Sequence, residues 1–146
     1  MRAVDEVLLE RVRENGENPF DVHDGYFDAR PPEGVVVVTT PLPYAIYMSS
    51  IGDDDEETRR MSAHIPRQSV FFTFIYVGLD RNQAKWAGER LRARLRRYRP
   101  TVDGFVCEVV QLLESQRVRR DDEAIRPDGS PLFYGVDNYA VGVRTA

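Results

Sequence analysis

Residues 69–100 read SVFFTFIYVGLDRNQAKWAGERLRARLRRYRP, and the change of period inside this stretch decides the fold. Its first part, Ser69 to Gly78, is predicted to be a strand. Val70, Phe72, Phe74 and Tyr76 alternate onto one face, and Phe71, Thr73, Ile75 and Val77 onto the other. A strand apolar on both faces needs cover on both sides. In a chain this small the helices supply one cover, and a neighbouring subunit can supply the other. Asp80 then serves as a helix N-cap, with Gln83 three residues on in a variant of the capping box. At about 100° per residue, Ala84, Ala87, Gly88, Leu91, Leu95 and Tyr98 fall on one stripe. Pro100 ends the helix. Small residues at 84, 87 and 88 let it lie close against a sheet.

Toward the N-terminus, Val4, Val7, Leu8, Arg11 and Val12 make Arg2 to Glu14 a short amphipathic helix, ended by Asn15-Gly16. The following ENPFDVHDGYFDARPPEG, dense in Pro, Gly, Asp and Asn, reads as an extended connector. Val35 to Thr40 and Tyr44 to Met48 suit strands, but Pro41 and Pro43 keep their junction out of the centre of a sheet. A long polar loop is expected at about residues 49–68 and includes five consecutive acids, Asp53, Asp54, Asp55, Glu56 and Glu57.

Toward the C-terminus, Phe105 to Leu113 reads as another strand apolar on both faces. RVRRDDEAIRPDGSP, from Arg117, reads as a charged loop. LFYGVDNYAVGVR reads as one or two closing strands interrupted near Asp137-Asn138. The order of helix, strands, long strand, helix and strands predicts one α+β domain over residues 1–146. Its sheet is expected to be mixed and mostly antiparallel, packed with an N-terminal helix and one longer helix at about residues 80–98.

Composition bounds the chemistry. A chain of 146 residues, 42% hydrophobic and 30% charged, is long enough to bury a core without staples. A formal net charge of −4 argues against a general nucleic-acid binder. The single cysteine, Cys107, cannot form an internal disulfide, and its mid-strand position reads as a buried structural thiol. No uninterrupted apolar h-region opens the chain, and no apolar run approaches the roughly 18 residues of a membrane span. Expression in the cytoplasm, without a membrane partner, is therefore expected.

His23 and His64 lie far apart, with no cysteine or carboxylate at metal-ligand spacing. The run Asp53 to Glu57 lacks the alternating ligands of a calcium loop and reads as a solvated loop. With no nucleophile elbow, P-loop or dinucleotide fingerprint either, no catalytic residue, metal or cofactor is expected.

Nineteen arginines stand against one lysine, Lys85, a bias that reads as compositional. Trp86 points about 140° away from the apolar stripe, on the side of Arg90 and Arg97. Two readings stay open for it: packing under a loop of its own chain with Arg90 stacked on the ring, or a contact surface. Arg92, Arg96 and Arg99 lie on the opposite flank, where pairing with Asp53 to Glu57 of the same or an adjacent subunit is expected.

Three stretches in order carry a resemblance: PLPYAIYMSSIGDD, FFTFIYVGLDRNQAKWAGERLRARL and VRRDDEAIRPDGSPLFYGVDNYAVGVR. Together they resemble the tail terminator proteins of long-tailed bacteriophages over most of residues 40–144. The family pattern is a Pro-Tyr strand with a Gly-Asp turn, then an aromatic strand leading through Gly into a helix matched by Ala84, Trp86, Ala87, Leu91 and Arg92. An Arg-Asp-Asp segment and a V-D-x-Y turn follow, matched by Val136, Asp137 and Tyr139. The acidic run lies outside this pattern. The resemblance implies a non-catalytic assembly protein of the virion neck, put together in the host cytoplasm. Such proteins form rings, typically hexameric, that cap the tail tube protein, stop its polymerisation and meet the head-side connector, with DNA passing through the lumen. Another neck component (a stopper or adaptor), a tail tube protein and a small Arg-rich nucleic-acid binder are the competing readings.

Overall fold

The computed structural model describes residues 2–25, 36–49 and 67–146. Helix α1, Arg2–Arg13, buries Val4, Leu8, Leu9 and Val12, the i, i+4, i+8 face of its sequence. It tightens into a 3-10 turn, Glu14–Gly16, where Gly16 takes a left-handed φ of 89°. The Asn18 side chain then donates to the Val12 carbonyl at 2.7 Å and satisfies one orphan acceptor of the helix end.

Strands β1 (Asp21–Asp24), β2 (Val36–Val37), β3 (Tyr44–Ser49) and β4 (Gln68–Gly78) precede helix α2, Arg81–Leu95. Strands β5 (Thr101–Val102), β6 (Phe105–Cys107), β7 (Gln111–Ile125) and β8 (Pro131–Thr145) follow it. They make one sheet of order β1-β3-β4-β8-β6-β5, with β7 paired to β8 and β2 paired to β7. Only the β1–β3 and β2–β7 pairings are parallel among the described residues. The fold is α+β with a mostly antiparallel sheet, as expected.

Strand β8 organises the sheet. One edge pairs with all of β4, from Gln68 opposite Val143 to Gly78 opposite Phe133. Its other edge is shared between β7 along Pro131–Ala140 and β6 along Val143–Thr145.

Several expectations need correction. RVRRDDEAIRPDGSP is not a loop: most of it is the second half of β7, turned into β8 by Arg126 to Ser130 around Gly129. Strand β8 also runs without interruption through Asp137-Asn138. The expected Phe105 to Leu113 strand is broken after Cys107. There the Glu108 N–H donates to the Gly142 carbonyl and the Val110 N–H to the Tyr98 carbonyl. The supposed connector contains β1, and among the described residues of the Val35 to Thr40 run, 36–40, only Val36–Val37 is strand. In each case pairing with a distant strand outweighs local composition, because strand preference is mostly a matter of context.

Both faces of the sheet carry apolar side chains. Val70, Phe72, Phe74 and Tyr76 are buried in the core cluster shared with α1 and α2, where Phe72 stacks on Tyr139 at 5.3 Å. On the second face, Tyr44, Val77, Ala124 and Leu132 form a smaller cluster with Val38, Leu42, Ile46, Ile75 and Tyr134. Part of the cover expected from a neighbour thus comes from the chain itself. Toward the other end of β4, Phe71 on that face is 44% exposed.

Candidate interaction surface and the polar cluster behind it

Helix α2 is set against the sheet by its cap and its small residues. Asp80 accepts from the Gln83 N–H at 2.7 Å, while the Gln83 side chain accepts from the Leu79 N–H at 2.6 Å. The predicted stripe of Ala84, Ala87, Gly88, Leu91 and Leu95 is buried. The close approach matters most at Tyr76. A methyl added to Gly88 would lie 2.6 Å from the Tyr76 ring, and one added to Gly135 would collide with it too. The phenol therefore occupies a slot between two glycines, one on α2 and one on β8.

At the end of that slot lies Asp137, 1% exposed. Arg92 holds it with both arms of the guanidinium, Nε to Oδ2 at 2.8 Å and Nη2 to Oδ1 at 3.0 Å. The Tyr76 hydroxyl donates to Oδ1 at 3.1 Å and the Tyr139 hydroxyl to Oδ2 at 3.3 Å. A further donation, from Arg92 Nη2, reaches the Ser115 hydroxyl of β7 at 2.5 Å. A buried carboxylate with this many donors is fully satisfied, which is the condition for tolerating it in a core. The hydrogen bond to Asp137 raises Arg92 above its ordinary value. Burial foremost, then Asp137, raises both phenols.

Asp137 was read from sequence as part of a turn, and Arg92 as a flank residue pairing with the run Asp53 to Glu57; its guanidinium is instead turned inward onto Asp137. The available signal was the period of two that puts Asp137 with Gly135, Tyr139, Val141 and Val143 on one face of β8. The V-D-x-Y element is thus strand interior.

The other candidate residues fall in different places. Trp86 is 45% exposed and meets the edge of Phe20, with ring centroids 5.7 Å apart. Arg90 pairs with Glu14 at 3.0 Å, and Arg94 reaches the same carboxylate at 3.6 Å. Among the described residues the cation–π contacts are Arg11 on Tyr98, Arg81 near Phe133 and Arg119 on Tyr134. Arg96 caps α2 through its N–H to the Arg92 carbonyl, and its side chain is exposed, as is that of Arg99. Asp53, Asp54, Asp55, Glu56 and Glu57 lie outside the described residues.

Elsewhere, the Tyr47 hydroxyl donates to Asp5, tying β3 to α1. Cys107 is buried, and burial pushes its thiol up. Among the described residues no three His, Cys, Asp or Glu side chains are grouped to hold a metal, and no helix is long and apolar enough to cross a membrane.

Exposed apolar side chains concentrate at the corner between β6 and β7. Val106 and Val109 are each 37% exposed, Leu112 is 46% and Leu113 54%. Arg67 pairs with Glu108 in this corner. That pairing first, with Arg144 and Arg99 adding, holds the Glu108 carboxyl below its usual range. On the α1 side, Glu6, Leu9, Glu10, Arg13, Gly16 and Asp24 line an open depression of about 380 Å³.

No protein-family model matches this chain, and a search of curated proteins finds no match either.

Proposed function

We propose that the chain is a ring-forming tail terminator of a long-tailed bacteriophage. It caps the tail tube, ends tube polymerisation and gives the head-side connector a surface to join. The observation that carries the reading is the second face of the sheet. Phe71 is exposed there, and Thr73, Ile75, Val136 and Ala140 are only partly buried. A sheet face with this apolar content is suited to cover by another copy. The ordered succession of tail-terminator-like motifs supplies the rest.

The arginines of α2 favour assembly over nucleic-acid reading. Arg90, Arg92 and Arg94 direct their guanidiniums to Glu14, Asp137 and the Arg11 carbonyl. The remaining exposed arginines belong to a chain of net charge −4.

The test is deletion of the gene from its phage, together with the mass of the purified protein alone and with tube protein. Tails of irregular, excessive length that fail to join heads, and a multimer on the tube end, are expected. Normal-length tails with heads attached would overturn the reading. Tight, salt-sensitive duplex affinity would move it to the nucleic-acid alternative.

A further inference from the structure

We draw no further inference here: the strongest candidate, the apolar corner at the break between β6 and β7 where Val106, Val109, Leu112 and Leu113 stand exposed, carries none, because nothing in the structure shows what covers it.

Discussion

Arg92 Nε lies 2.8 Å from Asp137 Oδ2, joining the middle of α2 to the middle of β8. The two ends of this pair differ in burial: the Arg92 side chain is 34% exposed, that of Asp137 1%. Removing one end therefore does not equal removing the other. Arg92→Met strands a carboxylate in the core and is expected to cost about 3–5 kcal/mol. Asp137→Asn keeps an acceptor oxygen for one of the two tyrosines, offers an NH2 that can donate to the other hydroxyl, and leaves an arginine that can still reach water, so its cost should be smaller, about 1–2 kcal/mol. Urea melts of both variants check this, and the reverse order would remove the account of the cluster.

Gly88 is the position where helix preference and packing oppose each other. Alanine is favoured over glycine in a helix by about 1 kcal/mol. Its methyl would press on the Tyr76 ring at 2.6 Å, a contact that neither the helix backbone nor the ring, pinned through its hydroxyl, can easily relieve. Overpacking should win, so Gly88→Ala is expected to destabilise by about 1–3 kcal/mol. In a Tyr76→Leu background much of that cost should vanish. Equal costs in both backgrounds, measured by chemical denaturation, would mean that the slot is not what requires glycine.

Leu91 is 1% exposed at the centre of the stripe that α2 lays on the sheet. Leu91→Ala should cost about 2–5 kcal/mol. A thermal or denaturant loss well under about 1 kcal/mol would put the register of this helix in error.

Alkali should unfold the protein through its buried phenols. Desolvation raises Tyr47, Tyr76 and Tyr139 above the ordinary 10.0, with Asp5 adding to the first and Asp137 to the other two. The folded state then keeps protons that the unfolded chain gives up. The stability these groups supply is intact below about pH 10 and falls as pH climbs above it, by at most about 1.4 kcal/mol per pH unit for each tyrosine. Stability measured from about pH 8 to pH 11 should be level and then decline. Tyrosinate absorbance from these three, among seven tyrosines, should appear only with unfolding. A rise in stability, or full titration before unfolding, would contradict the burial of these hydroxyls.

The elements legible in the sequence are those whose pattern is local. The apolar stripes of α1 and α2, the Asp80 cap and the two-faced β4 follow from side chains three, four or two residues apart, within one element. The tertiary structure decided the rest. Fifteen residues of β7, rich in Arg, Asp and Glu, are a strand only because β8 supplies a ladder from across a turn. Asp137 resembled a turn residue because a buried aspartate requires a cation, and that cation comes from α2 and not from its neighbours in sequence. The exposed leucines of the corner were hidden for a related reason. Leu112 and Leu113 read as core in any apolar run, and their exposure depends on a bulge and on which elements leave that edge uncovered. Periodicity records which side chains share a face. What covers that face depends on the assembled chain, because burial and pairing are properties of contacts between residues far apart in sequence.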